Sequence, residues 1–359
     1  MNFLGKLFGG GKPPGMAGLD VGSDSIKVAQ VRVTSSGAAL LAYGSAPTPT
    51  DAFRAGAISD PEALGQAVAE LLADTDLPPG TRIVSAVTGQ HVVVRPITMA
   101  RLPDRELGKA IQFEAEKYLP YQVSDAQVTG IKLRDLDQNK METLLIAAPN
   151  EMINKAKGVI ERAGCVPEAI DLEPLVLRRA LKRCAPDKLR QRVMLLNLGA
   201  ALTSINVLRE GVLCHNRTIT IAGHSITQAI QQSLNVSLDE AERLKKEKGV
   251  VLEEDIGGSP AARKIASAVQ PVLTRMITEL KRSFDYYGST YRGESIDEIV
   301  LSGGTARFRG LAGFLSQGLQ IGCSVADPFE PLSLPKGLDR EDLRAEGPAA
   351  MTAIGLALR

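Results

Sequence analysis

The chain has 359 residues, 44% of them hydrophobic and 23% charged, which is enough for two or three domains around a large core. A net charge of +1 removes any electrostatic argument for nucleic acid or an anionic membrane. Cys165, Cys184, Cys214 and Cys323 lie too far apart to pair as metal ligands and read as reduced thiols. No apolar run reaches the roughly 18 residues of a spanning helix, and no secretory leader is visible, so a cytoplasmic protein is expected.

Near the start, Phe3, Leu4, Leu7 and Phe8 share one arc of a helical wheel, and Gly9-Gly10-Gly11 and Pro13-Pro14 end the pattern. Two turns do not hold a helix alone in water. Residues 1–15 therefore read as a tail, either frayed or a short interfacial or docking tip. Gly18 to Lys27 then reads as a strand, a tight turn at Gly22-Ser23, and a returning strand from Ile26 to Val33. Such a hairpin aims several backbone N–H groups into one concavity, as a phosphate chain requires. Asp20, at the end of the first strand, can hold Mg²⁺ through its water shell. Lys27 can return as a point charge on a phosphate oxygen. Taken alone, the stretch is no more than a hairpin.

Asp60-Pro61-Glu62 starts a helix whose buried stripe is Leu64, Val68, Leu71 and Leu72, and Leu77-Pro78-Pro79-Gly80 breaks the chain. Arg82 to Gly89 and His91 to Met99 read as strands. Leu102-Pro103-Asp104 opens a helix that Leu119-Pro120 closes, with Leu107, Ala110, Ile111, Ala115 and Tyr118 on its apolar face. Glu114 falls within that face, while Phe113 points nearly the other way, toward a neighbouring subdomain or a partner. Strands over 128–133 and 143–148 and a helix to about Ala163 follow. Residues 81–163 thus read β-β-α-β-β-α, a unit inserted in a larger domain.

Asp171 to Leu175 begins a helix running to Leu181. From Val193 to Leu208 the first hairpin returns: an apolar strand, a polar residue at Asn197, a glycine at Gly199, small residues, a hydroxyl at Thr203 and a second apolar strand. This echo predicts a duplicated fold with two phosphate hairpins facing one cleft. Residues 221–288 read as mostly helical. Ser237 to Glu240 forms a capping box, Gly249 a stop, and Glu242 and Lys245 lie on one face. A helix from Pro260 carries a core stripe of Ile265, Val269, Val272, Leu273, Met276, Ile277, Leu280 and Phe284, and Pro271 is expected to kink it. After a strand at 298–301, Gly303-Gly304-Thr305 lets a ligand approach the backbone closely. Residues 330–347 read as a loop with room for a short helix, and Pro348 to Leu358 as a last helix.

Three glycine turns in this order resemble the actin–Hsp70–sugar kinase superfamily over nearly the whole chain after residue 16. The resemblance implies an α/β fold of two actin-like (ribonuclease H-like) domains around a nucleotide cleft, with ATP and Mg²⁺ as cofactors. Gly18 to Lys27 is similar to the first phosphate motif through Asp20, Gly22, Ser23, Ser25 and Lys27, with Asp20 reaching the metal through water. Asn197 to Thr203, with Gly199 and Thr203, is similar to the second, and Ser302 to Ala306, with Gly303, Gly304 and Thr305, to the adenosine motif. Glu173-Pro174 resembles the connecting helix whose polar residue orients the attacking water. Ala241 to Lys245 is similar to the A-E-x-x-K motif, which implies that Glu242 and Lys245 contact ribose and adenine. Asn197 stands where relatives usually carry Asp, and Asp24 sets a carboxylate in the first hairpin, so weak or absent ATP hydrolysis is expected.

The inserted unit lies where the FtsA/PilM branch carries its extra (1C or SHS2-like) subdomain. Ala110 to Tyr121 and Ala353 to Arg359 are similar to the PilM family. That resemblance implies a cytoplasmic ATP-binding scaffold of the type IV pilus inner-membrane complex. It would dock the cytoplasmic N-terminal tail of PilN in a groove beside the inserted unit, with Phe113, Tyr118 and Leu119 as groove residues. Pilus motor ATPases are further partners on this reading, membrane association is indirect, nucleic acid plays no part, and self-association stays open. The division of the chain it implies is 16–80 and 164–190 for domain 1, 81–163 for the insert, 191–220 and 298–345 for domain 2, 221–297 for a helical subdomain, and 346–359 for a helix packing on domain 1. Two other readings stand beside it: an FtsA-like cell-division scaffold, and a small-molecule kinase that would need a catalytic Asp and a polar substrate pocket.

Overall fold

The computed structural model describes residues 16–35, 37–54, 56–252, 259–335 and 339–359, so the reading of residues 1–15 lies outside the described residues. The first strand, β1 (Met16–Val21), turns into β2 (Ser25–Thr34) with Asp20 opposite Lys27, and β3 (Gly37–Pro47) returns along β2. After the short strands β4 (Phe53–Arg54) and β5 (Ala57–Ile58), Asp60 caps α1 (Pro61–Asp74), accepting from the amides of Glu62 and Ala63 at 3.0 Å each. Leu64, Val68, Leu71 and Leu72 of that helix are buried, each contributing about 1.5–3 kcal/mol. The order continues with β6 (Arg82–Val87), β7 (Val93–Ala100), α2 (Asp104–Ala115), β8 (Ala126–Asp135), β9 (Lys140–Pro149), α3 (Asn150–Arg162), β10 (Val166–Leu172) and α4 (Glu173–Cys184). The second half holds β11 (Arg192–Leu198), β12 (Thr203–Arg209), β13 (Val212–Ile219), α5 (Gly223–Leu234), α6 (Leu238–Lys248), α7 (Pro260–Thr290), β14 (Glu298–Ser302), α8 (Leu311–Leu319), β15 (Cys323–Val325), β16 (Leu332–Ser333) and α9 (Arg340–Ala357).

The duplication expected from the two hairpins is present strand for strand. The first sheet has the order β10-β6-β1-β2-β3-β16 and the second β15-β14-β11-β12-β13. In each, the glycine-turn hairpin is antiparallel, and the next two strands join its first strand in parallel. Helices cover the sheets and bury two separate cores. Val68, Ile83 and Ile160 stand in the first, and Ile265, Leu273 and Met276 of α7 in the second. α7 continues as one helix on both sides of Pro271.

The inserted unit is smaller than residues 81–163. β6 pairs in parallel with β1 and β10, so it belongs to the first sheet. α3 buries Val159 and Ile160 in the first core. What remains is β7-α2-β8-β9, a three-stranded antiparallel sheet in the order β7-β9-β8, with a core of its own around Ile97, Ile111, Met141 and Leu145. An apolar strand such as Ile83-Val84 suits either sheet by its pattern, and partners far along the chain decide its place. β10 is a strand that the sequence reading did not include.

Two helix ends also differ from expectation. α9 starts at Arg340, in a stretch read as loop with room for a short helix, with Asp339 accepting from the Glu341 amide at 2.8 Å, and Pro348 sits inside one continuous helix. Proline removes one helical donor there. The carbonyl of Pro348 accepts from the Gly303 amide at 2.6 Å, and Arg307 donates to the Ala345 carbonyl at 3.4 Å, which fastens this stretch to the second half. The rest of α9 lies on β1 and β2, burying Ala353, Ile354 and Ala357. At Gly18 the crossing is so close that a Cβ would stand 2.5 Å from the Ala357 nitrogen. Gly249 ends α6, but its φ is −65° rather than left-handed. It is glycine because a Cβ would run into the Lys245 carbonyl and the Phe308 ring.

Candidate functional site

The two sheets bring their matching turns to opposite sides of one cavity of about 740 Å³. In the first turn the Gly22 amide donates to the Ser25 carbonyl at 3.1 Å, and in the second the Gly199 amide donates to the Leu202 carbonyl at 2.9 Å. A Cβ on Gly22 would meet that Ser25 oxygen at 2.9 Å, and one on Gly199 the Leu202 oxygen at 2.8 Å. The echo read in the sequence is therefore an echo in atomic detail. Ser23 and Ser25 line the cavity in the first turn. Each turn is braced from behind: Thr48 Oγ1 donates to the Gly22 carbonyl at 2.7 Å, and Thr305 Oγ1 to the Gly199 carbonyl at 2.8 Å.

Gly303 closes the third side with φ +85°, and a Cβ there would stand 2.7 Å from Asn197 Oδ1. Gly304 has nothing within 4 Å of a Cβ, so a bound molecule can lie against its backbone.

Asp20 and Lys27 face each other on adjacent strands, Nζ to Oδ2 3.5 Å, and Lys27 also donates to the Ser25 carbonyl at 3.3 Å. Burial pushes the Asp20 carboxyl above its ordinary range, and the Lys27 charge and hydrogen bond pull it back only in part. A cation at this position would favour its ionised form. Asp24 lines the cavity as well, and Lys246 of α6 lies 3.8 Å from its carboxylate. The repulsion expected of it is thereby reduced.

The floor is a chain of side chains that joins the two halves. Glu173, at the start of α4, is buried, and its two oxygens accept from Thr88 Oγ1 and from Asn197 Nδ2. Asn197 Oδ1 accepts in turn from Ser302 Oγ at 3.3 Å. Burial raises the Glu173 carboxyl above the usual range; the two hydrogen bonds oppose this and the nearby Asp20 charge adds to it. Asn197 thus serves a neighbouring carboxylate, a role that an Asp at this position could not fill without a proton.

On α6, Glu242 Oε2 accepts from Lys245 Nζ and from Thr227 Oγ1, both at 2.6 Å, and Lys246 lies 3.3 Å from Oε1. Burial works against ionisation of Glu242, but the Lys245 charge and these hydrogen bonds outweigh it and hold the carboxyl below its ordinary value. The Lys245 ammonium is pushed down by its own burial, with Glu242 opposing.

Every residue expected in the cleft lines it except Thr203, which is fully buried on β12 and donates to the Ile221 carbonyl at 2.8 Å. Ser204 lines the cavity instead. Sequence reasoning missed Thr88, whose signal was a hydroxyl and a glycine ending an apolar strand. It also missed Arg307, Phe308 and the α9 residues Ala345, Ala349 and Thr352 in the lining, and Thr227 outside it, whose hydroxyl donates to Glu242. Lys27, Lys245, Lys246, Lys248, Arg307 and Arg309 line the cavity beside Asp20, Asp24, Glu173, Glu242 and Glu247. Cations and carboxylates nearly cancel, so a polyphosphate would be met chiefly by turn amides and a metal ion. The glycine cradles and the carboxylate at Asp20 fit both.

A second cavity of about 350 Å³ lies between the first sheet and the inserted unit, lined by Phe53, Ile58, Val87, Tyr121, Met152 and Val159, with Asp125 and Glu151 among its polar residues. Phe113, Tyr118 and Leu119 are not in its lining. Tyr118 and Leu119 pack into the insert's own core, with the Arg95 guanidinium 4.8 Å above the Tyr118 ring. Phe113 is 73% exposed on α2. The cavity lies beside the inserted unit, and α3 and the β4–β5 segment supply its apolar walls.

The family described as type IV pilus assembly protein PilM matches the chain over residues 18–359. The chain belongs to the PilM family. Among solved structures, a PilM–PilN type IV pilus biogenesis complex superposes with a TM-score of 0.85 at 28% identity, covering 97% of this chain and 99% of that one. MreB5 of Spiroplasma citri bound to AMPPNP gives 0.55 at 13% identity, with 96% and 95% covered, a likeness of fold alone. The cell division protein FtsA of Neisseria meningitidis is 25% identical over 384 residues, 94% of this chain and 88% of that protein. FtsA of Bacillus subtilis matches at 28% over 208 residues, and there the chain spans less than half the relative's length. PilM-family membership and the duplicated actin-like fold thus agree with the sequence motifs.

Proposed function

We propose that this chain is an ATP-binding scaffold of the type IV pilus assembly apparatus that docks the cytoplasmic tail of PilN. The observation that carries the nucleotide part is the pair of equivalent glycine turns facing one cavity, with Gly303 and Gly304 on a third side. The amides of the turns at Gly22 and Gly199, with Ser23 and Ser25, would hold the phosphates, and Asp20 a Mg²⁺ ion through water. The Gly303-Gly304 backbone would receive the adenosine, with Glu242 and Lys245 at the sugar and base. When bound, the metal supplies charge neutralisation for the phosphates. The similar fold of MreB5, solved with AMPPNP, supports this assignment.

Hydrolysis on this reading is slow. Both oxygens of Glu173 are engaged and its carboxyl is biased toward the neutral form, which is poor at orienting water. Asn197 adds no charge for the metal's water shell.

The PilN assignment rests on the family and on the groove between the first sheet and the insert, which is apolar and carries Asp125 at its edge, Glu151 there being paired with Lys155 at 2.8 Å; its apolar walls suit an extended, largely apolar peptide. The solved relative is itself a complex with PilN. No helix among the described residues is long and apolar enough to cross a membrane, and attachment to the inner membrane would run through PilN. The test is calorimetry with Mg²⁺-ATP and with a synthetic PilN-tail peptide. Saturable binding of both at separate sites is expected. No heat or competition at millimolar ATP would end the nucleotide reading, and peptide binding unaffected by substitutions in the groove would end the other.

A further inference from the structure

Apolar walls such as Phe53, Ile58, Val87, Met152 and Val159 gain by being covered, whatever covers them. At the edge of the groove Asp125 has no ion-pair partner among the described residues, only its neighbour Ser124 as a side-chain hydrogen-bond partner at 3.4 Å. The chain carries a segment of matching chemistry outside the described residues. Phe3, Leu4, Leu7 and Phe8 lie close together, Lys6 among them can meet Asp125, and residues 2–8 hold no acidic side chain.

That segment is also within reach. Val21 at the groove is the far end of the strand that begins at Met16, about 17 Å away at the rise of a β-strand. Passing the layer of α1 and α3 adds about 10 Å, the thickness of a helix. An extended chain covers about 30 Å from Met16 back to Leu7 and about 40 Å back to Leu4. The residues between, Gly9-Gly10-Gly11 and Pro13-Pro14 among them, offer few side chains to hold the segment elsewhere.

We infer that residues 3–8 cover the groove in the free protein, and that a partner peptide binds by displacing them. This regulation rests on the reading of the groove given above. A segment tethered so closely meets the groove at an effective concentration in the millimolar range, so an intrinsic dissociation constant of about 1 mM already fills half of the grooves or more. The apparent affinity of a free peptide then falls by the fraction of grooves left open. A peptide with better contacts still wins, and weaker apolar segments are turned away.

The experiment is fluorescence anisotropy of a labelled PilN-tail peptide with the full chain and with a variant lacking residues 2–8. The deletion should tighten the peptide about three-fold or more. Leu4→Ser with Leu7→Ser should do the same at full length. A synthetic peptide of residues 1–15, at millimolar concentration, should displace the labelled peptide from the deletion variant. Equal binding to the full chain and the deletion variant would overturn the inference and leave the reading of the groove standing. Loss of binding on deletion would make the segment part of the partner's site rather than its cover, and would overturn it too. So would tightening without competition by the synthetic peptide, which would seat the segment elsewhere. Co-sedimentation with anionic phospholipid vesicles that depends on residues 2–8, with peptide affinity unchanged, would assign the segment to a lipid surface instead. If the PilN peptide binds neither chain, the reading of the groove fails and the inference with it.

Discussion

Substituting Asn197 with Asp tests the floor of the cleft. In the wild type, Asn197 Nδ2 donates to Glu173 and Oδ1 accepts from Ser302. Asn197→Asp removes the donor and sets a second carboxylate against a buried first one. Two unit charges about 3 Å apart repel by about 5 kcal/mol at an effective dielectric constant near 20. Glu173 is already raised by burial, so the pair escapes by keeping a proton. The folded variant then holds about one proton more than the unfolded chain from the ordinary carboxylate range up to the pH at which the shared proton leaves. Its stability falls as pH rises, by about 1.4 kcal/mol per unit until the shared proton leaves. Between pH 5 and 7 the ceiling is about 2.7 kcal/mol, less the share that wild-type Glu173 shows for the same reason. The assay is urea denaturation of both proteins at pH 5, 6 and 7, reading the difference between them. A widening gap of about 1–3 kcal/mol is expected, and Mg²⁺-ATP should narrow it, because a cation beside the new carboxylate replaces the proton. A variant as stable as wild type at pH 7, or a gap that does not change with pH, would refute the reasoning.

Gly303→Val should abolish nucleotide binding in calorimetry and lower the thermal midpoint, since its Cβ would stand 2.7 Å from Asn197 Oδ1 at φ +85°. Phe113→Ala should change stability by no more than about 0.5 kcal/mol and leave PilN-peptide affinity unaltered, because the ring is exposed and outside the groove. Met152→Lys, within the groove, should weaken the peptide at least about ten-fold by setting a charge into an apolar wall. Lys245→Met should flatten the acid limb of the stability profile. Glu242 has its folded carboxyl held below its unfolded value by Lys245, so it contributes stability above the unfolded value that is lost as pH falls through the folded one. The variant should differ least from wild type below that window, as read by unfolding midpoints at pH 3 to 6.

What could be read from the sequence was what neighbouring residues decide among themselves. Asp60-Pro61 caps a helix by its own geometry, and Gly22 and Gly199 are glycine because each turn folds on its own fourth residue. Those turns gave the cleft, and their repetition gave the duplicated sheets. Where distant partners decide, pattern was not enough. β6 looks like any apolar strand and is claimed by β1 and β10. Gly249 looks like a left-handed stop and is glycine because Phe308 lies against it. Pro348 looks like a helix start, yet Gly303 and Arg307 from the other half let the helix begin a turn or two earlier. In the site the same division holds. Glu173 and Asn197 were each legible as positions of interest, but nothing local says that one amide is there to hold the other's carboxylate.

The close crossing of α9 over Gly18 sets a clock on synthesis. β1 leaves the ribosome long before the helix that covers its far face. At about 5–20 residues per second, roughly 20–70 s pass between the two. Through that interval the apolar face formed by Ala29, Leu40 and their neighbours has no lid. The Gly303 amide likewise waits for the Pro348 carbonyl. A truncation within α9 would leave that apolar face exposed for good.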